Sequence, residues 1–186
     1  MQNLICKKES LDIASKIKKT VRDINDFPKA GIVFKDITPL LLDHQLTAEI
    51  SEALYAATKH LKVDAVMGIE SRGFLWGVLL AQQLKVPFIP LRKKGKLPYK
   101  TISHQYALEY GTAEVEVHED AIKAGDNILI HDDLLATGGT AEAAAYIVEK
   151  QKASVAGFSF IVTLDFLKGR EKLKAYANHI DSLVSY

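Results

Sequence analysis

Apolar side chains return at Leu11, Ala14, Ile17, Val21 and Ile24 with charged residues between them, and this spacing predicts an amphipathic helix over Ser10–Ile24. Ser10 is a suitable N-cap for it. The same stripe recurs at Leu46, Ile50, Leu54, Ala57 and Leu61 and predicts a second helix over Thr47–Leu61. Beyond it the pattern changes to short apolar runs rich in β-branched residues. Val63–Ile69, Val86–Leu91, the run containing Ile128–Ile130 and Ser154–Thr163 read as strands. Phe74–Leu84 and the alanine-rich stretch after Thr140 read as helices between them. Ala113–His118 alternates polar and apolar, which predicts a half-exposed strand with Glu114 and Glu116 on its solvent face. Phe27–Pro39 is punctuated by proline and glycine like a connector. Its Phe27, Ile32, Val33 and Phe34 make it too apolar for a purely solvated loop. Strands alternating with helices predict an α/β fold: a doubly wound, mainly parallel sheet with helices on both faces.

Composition narrows the function classes. The 186 residues suit a single domain (1–186) with a sizeable core, without linker or repeat. A net charge of +1 gives no electrostatic case for a nucleic acid or a membrane as partner. Cys6 is the sole cysteine, so no intrachain disulfide can form, and a reducing, cytoplasmic setting is expected. The first residues lack the layout of a signal peptide, and no apolar run reaches spanning length.

Candidate chemistry concentrates in Asn127–Ala145, NILIHDDLLATGGTAEAAA. An apolar strand leads to two adjacent carboxylates, Asp132 and Asp133. The short loop Ala136-Thr137-Gly138-Gly139-Thr140 follows, and then a helix. Free backbone N–H groups, a helix N-terminus and nearby hydroxyls are what a phosphate requires. The acid pair can accept hydrogen bonds from sugar hydroxyls, so the implied ligand is a sugar phosphate. The loop has no closing lysine, unlike a nucleoside-triphosphate loop, and no G-x-G-x-x-G occurs. Glu70-Ser71-Arg72-Gly73 forms a second anion-ready loop between strand and helix. Arg92–Lys100 carries five cations and a glycine, as a solvated face or as a lid over a polyanion.

HDDLLATGGT resembles the phosphoribosyl-pyrophosphate motif of the type I phosphoribosyltransferases, in the form carried by the branch that uses adenine. The resemblance runs from about Phe27 to Leu173 and implies a small N-terminal hood, about residues 1–40, that binds the base. It further implies that adenine and 5-phosphoribosyl 1-pyrophosphate become AMP and pyrophosphate. In FPKAGIVFKDITP, the backbone around Val33 and Lys35 would read the adenine edge and Phe34 would stack on its ring, with Leu164 as the second wall. Lys35 stands where many members have arginine. Ser71, Arg72, Lys93 and Lys96 would bind pyrophosphate, Arg72 and Lys93 assisting catalysis. Asp132 and Asp133 would hold the ribose, and Ala136, Thr137, Gly138, Gly139 and Thr140 the 5′-phosphate. The flexible loop would end in Glu109, which exchanges a proton with the base, and Tyr110. His104 and Gln105 depart from the family's pattern there, Thr163 replaces a usual glutamate, and His131 is read as a tolerated variant.

The resemblance also implies Mg²⁺ bound with the substrate near Asp132 and Asp133, with no certain direct protein ligand, and a homodimer. Ala136 sharpens the substrate expectation. Members that use 6-oxopurines carry an aspartate there, and alanine argues against hypoxanthine and guanine. A phosphoribosyl-pyrophosphate-binding regulator of the same fold, or transfer to xanthine or another base, are the alternatives.

Overall fold

The computed structural model describes residues 13–107 and 111–186. The chain divides into two compact units, Met1–Ala53 and Leu54–Tyr186.

The first unit opens with helix α1 over 13–20, which buries Ile13 and Ile17. It is followed by strands β1 (Arg22–Asn25) and β2 (Val33–Asp36), antiparallel in register Ile24↔Phe34. The helix expected to reach Ile24 therefore stops before Arg22, and the connector expected over Phe27–Pro39 contains a strand. Pro28 disfavours helical backbone at Phe27. The Asp26 carboxylate accepts the Gly31 N–H at 2.8 Å and turns the chain back. Helix α2 (Thr38–Leu42) was hidden by Pro39, which reads as a breaker but is tolerated in a first helical turn. Helix α3 (His44–Thr58) starts three residues before the expected Thr47, because the Asp43 carboxylate caps the Leu46 N–H at 3.0 Å.

The second unit is built on a seven-stranded sheet in the order β5-β6-β4-β3-β7-β8-β9. Its strands are β3 (Ala65–Ile69), β4 (Phe88–Lys93), β5 (Thr101–Ala107), β6 (Thr112–His118), β7 (Asn127–Leu135), β8 (Ser154–Thr163) and β9 (Ile180–Ser185). The five strands β4-β3-β7-β8-β9 run parallel, and β5 and β6 form an antiparallel hairpin at one edge. The sheet is thus mainly parallel, as its unbroken apolar strands require.

Helix α5 (Gly139–Lys150) packs Ala143, Ala144, Ile147 and Val148 against Ile128, Ile130, Phe158 and Phe160. Helix α4 (Gly73–Leu84), with buried Trp76 and Leu80, packs on β3 and β7 and completes the doubly wound arrangement. A 3₁₀ turn (Asp165–Leu167) and helix α6 (Gly169–Leu173) follow β8. Among the described residues no helix is long and apolar enough to cross a membrane.

Candidate active site

Parallel pairing fixes where the loops emerge. Gly68 lies opposite both Pro90 and His131, and Ile69 opposite Leu91. The carboxyl end of β3 therefore lies level with the middle of β7, and β4 runs two residues further, to Lys93. Strand β7 does not end at the acid pair, as expected from the sequence. It continues to Leu135, because β8 pairs with it as far as Leu135↔Thr163. Asp132 and Asp133 are strand residues. The loop after β7 stands about three residues, or about 10 Å, beyond the loop after β3. The carboxylates lie along the strand between two anion-ready loops, as a ribose lies between its two phosphate ends.

The outer loop and the strand end form a cavity lined by Asp132, Leu134–Ala141 and Phe160. Gly138 adopts a left-handed φ of 82° and caps α5, so backbone rather than side chain faces the helix start. A Cβ on Gly138 would lie 2.9 Å from the Gly169 carbonyl oxygen, and a Cβ on Gly169 2.2 Å from that of Ala136. The start of α6 is thus pressed onto the back of this loop. Arg170, beside Gly169, donates to the Ile180 carbonyl, to Ser182 Oγ, and to Thr163 Oγ1 at 3.3 Å. The threonine in place of the usual glutamate thus serves as an acceptor for that arginine.

The acid pair is electrostatically tense. Asp133 is buried and pairs with Arg72 Nε at 3.1 Å. Burial raises its pKa, and the arginine opposes the rise. Asp132 is partly accessible, and one of its oxygens accepts the Asp133 N–H at 2.9 Å. Its pKa is raised well above the carboxylate range, by removal from water first and by the Asp133 charge second. An incoming hydrogen-bond donor or cation relieves this repulsion. His131, just before the pair, is fully buried, with Nδ1 3.4 Å from Ser159 Oγ. Burial lowers its pKa to about 4, so it is neutral at physiological pH.

Ser71 is exposed in the inner loop, and the Glu70–Ser71 peptide is cis. Glu70 joins this loop to the basic one: it accepts Arg92 Nε at 3.2 Å and the Lys93 N–H at 2.9 Å. Lys93 and Lys96 are exposed, as an anion-binding role requires.

The expectation that Glu116 faces solvent fails. Its side chain is 2% exposed and accepts the Lys96 and Leu97 N–H groups, both at 3.0 Å, and the Thr101 hydroxyl at 3.0 Å. The loop of 94–100 folds over it, which period-two alternation cannot register. Burial on its own raises its pKa, but the hydrogen bonds from Leu97, Thr101 and Lys96 outweigh it and the carboxyl sits below the usual glutamate range. A lowered native pKa means stability present at neutral pH and lost as pH falls through the native value. Glu116→Gln should therefore lower stability at pH 7 by about 1–2 kcal/mol. The difference from wild type should shrink in acid, as followed by thermal denaturation against pH. Equal melting at neutral pH would mean that the charge contributes nothing.

Glu109 and Tyr110 lie outside the described residues. Val33, Phe34 and Lys35 sit on β2 of the first unit, where Lys35 pairs with Asp23 at 2.7 Å and Phe27 meets Phe34 edge-on at 5.2 Å. Leu164, at the end of β8, is buried.

The sequence matches the phosphoribosyl transferase domain family over residues 40–185. It is 51% identical over 170 residues to an adenine phosphoribosyltransferase of Cytophaga hutchinsonii, covering 91% of this chain and 94% of that one. A crystal structure of adenine phosphoribosyltransferase from Thermoanaerobacter pseudethanolicus matches with a TM-score of 0.89 and 47% identity, over 93% of this chain and 99% of that one. The enzyme from Saccharomyces cerevisiae, complexed with an imino-altritol bisphosphate and adenine, matches with a TM-score of 0.86 and 39% identity, over 94% and 99% of the two chains.

Proposed function

Since the chain belongs to the phosphoribosyltransferases, and within them to the adenine phosphoribosyltransferases, we propose that its site works as follows in purine salvage. Adenine N9 attacks the anomeric carbon of 5-phosphoribosyl 1-pyrophosphate and displaces pyrophosphate. The N9 proton is lost, and AMP is formed through an oxocarbenium-like transition state.

The observation that carries this reading is the position of Asp132 on β7 between the inner loop at Ser71-Arg72 and the outer cavity at Ala136–Thr140. Thr137, Gly138, Gly139 and Thr140, with the α5 N-terminus, hold the 5′-phosphate. The partly exposed Asp132 accepts from the ribose hydroxyls, and Asp133 holds Arg72 in place. Ser71, Arg72, Lys93 and Lys96 take the pyrophosphate and neutralise its growing charge as the bond breaks. Positioning and charge neutralisation supply the rate, and no covalent nucleophile is required.

A magnesium ion fits this donor set, because Mg²⁺ takes oxygen ligands and keeps substrate and water among them. When bound with the substrate it offsets phosphate charge, and Asp132 is the carboxylate placed to meet it. Adenine recognition through Val33, Phe34, Lys35 and Leu164, and proton exchange at Glu109, rest on the family resemblance and belong to this proposal. So do the homodimer and the cytoplasmic location.

Ala136, partly accessible in the cavity wall, supports selection of adenine, since it offers no carboxylate to a 6-oxopurine N7. A steady-state assay should show AMP from adenine and almost no IMP or GMP from hypoxanthine or guanine. Comparable rates on hypoxanthine would overturn the choice of base, and phosphoribosyl-pyrophosphate binding without product would indicate a regulator.

A further inference from the structure

The hairpin of β5 and β6 makes a polar contact with the phosphate loop. Tyr106 Oη lies 2.9 Å from Thr140 Oγ1, and either oxygen can donate. The Tyr106 ring is half-buried against the core, and its Cδ2 would stand 3.6 Å from a Cβ on Gly139, so it covers the first turn of α5. One turn of strand away, on the same face of β5, His104 stacks on Tyr146 of α5 with ring centroids 4.0 Å apart and planes at 26°. Strand β5 is therefore held on α5 by two aromatic side chains, and the hydroxyl of Tyr106 is not needed to keep it there.

A threonine hydroxyl has one proton and two lone pairs. If Thr140 spends its proton on Tyr106, it offers a phosphate only lone pairs, which repel an anion. If Tyr106 donates instead, the Thr140 proton is free to point into the cavity. A bound phosphate selects the second arrangement, and the chain Tyr O–H to Thr O–H to phosphate oxygen strengthens each of its members. Resting on the proposed function above, we propose that Tyr106 is a positioning residue for the 5′-phosphate of phosphoribosyl pyrophosphate, acting through the hydroxyl of Thr140. Tyr106 does not line the cavity, so its action passes through Thr140 and not through direct contact with the ligand.

Tyr106→Phe removes the hydroxyl and leaves the ring and the His104–Tyr146 stack. Loss of one such hydrogen bond should raise the KM for phosphoribosyl pyrophosphate about three- to tenfold. The KM for adenine and kcat should stay within about twofold, since the chemistry is untouched. Calorimetric titration with ribose 5-phosphate, which carries the same phosphate, should weaken by the same factor.

The double-mutant cycle separates indirect from direct action. In a Thr140→Ala background Tyr106→Phe should have no further effect, and in a Thr140→Ser background the effect should return. A KM for phosphoribosyl pyrophosphate equal to wild type, or an undiminished Tyr106→Phe effect on Thr140→Ala, overturns the proposal. A wild-type protein that neither makes AMP nor binds ribose 5-phosphate would instead overturn the functional reading beneath it.

Discussion

Gly169→Ala is expected to disable the enzyme, although position 169 lies outside the cavity lining. The added methyl would start 2.2 Å from the Ala136 carbonyl oxygen and 3.1 Å from the Gly138 nitrogen. Both are backbone atoms of the loop proposed to hold the 5′-phosphate, so no rotamer change can relieve the contact. Either α6 or the loop must move. Overpacking of this kind costs about 1–3 kcal/mol of stability. A displacement of about 1 Å at the loop costs about a hundredfold in kcat/KM.

Gly125→Ala makes the contrast. Gly125 has a left-handed φ of 90° with nothing within 4 Å of its missing Cβ. Alanine there strains the backbone, and stability should fall by about 1 kcal/mol with kinetics unchanged. Thermal denaturation and steady-state kinetics on both variants check the pair. Normal affinity of Gly169→Ala for phosphoribosyl pyrophosphate would show that the loop does not depend on α6.

Asp132→Asn is expected to divide stability from function. The native carboxyl has a raised pKa, whereas the unfolded one is ordinary. Between those two values the unfolded state has lost its proton and the native state has kept it. Stability therefore falls as pH rises through that window and stays reduced above it. The amide removes the penalty while keeping an oxygen to accept the Asp133 N–H. The variant should melt higher than wild type at neutral and alkaline pH, and the gain should vanish in acid. Activity should move the opposite way. Two charge-assisted hydrogen bonds to ribose hydroxyls become neutral ones, a loss of about 2–3 kcal/mol or about two orders of magnitude in kcat/KM. Near-normal turnover would remove Asp132 from the site, and a lower melting temperature at pH 8 would mean that its charge is well accommodated.

The elements legible in the sequence were those in which a single effect dominated. Ser154–Thr163 was bounded correctly because apolar side chains dominate its length. The helix after Phe74 and the alanine-rich helix after Thr140 were legible for the same reason. The misreadings occurred where two effects competed. Ile24 falls on the helical stripe of Ile17 and Val21, yet it belongs to a strand, because its pairing with Phe34 outweighs the periodicity. The extent of β7 was set by its neighbour β8, which no local pattern in Asn127–Leu135 records.

The candidate site divides the same way. Ser71, Arg72 and the Ala136–Thr140 loop announce themselves by residue type. Glu70, Tyr106, Glu116 and Gly169 do not, since each acts by supporting another residue. A carboxylate that accepts backbone N–H groups reads, in one dimension, like any surface glutamate.

The sheet's uneven pairing has a consequence for which parts of the molecule can open. Among the described residues the hairpin of β5 and β6 pairs with β4 through Arg92↔Glu116 and Lys93↔Val115, with one further bond from the Lys94 N–H to the Glu114 carbonyl, whereas β7 is paired with β8 from Asn127 to Leu135 and with β3 on its other side. Opening free energies follow such pairing and burial. Opening the hairpin breaks few sheet hydrogen bonds, although its Val115, Val117 and Tyr106 must also leave the core. The residues proposed to hold ribose and phosphate are thus seated on or next to the most extensively paired strand of the sheet. The segment proposed to cover the departing pyrophosphate adjoins the edge with the shortest pairing to the rest of the sheet. The central strands can stay paired when the edge opens, but the contact of Tyr106 with Thr140 opens with it, so breathing of the edge also loosens one support of the phosphate loop.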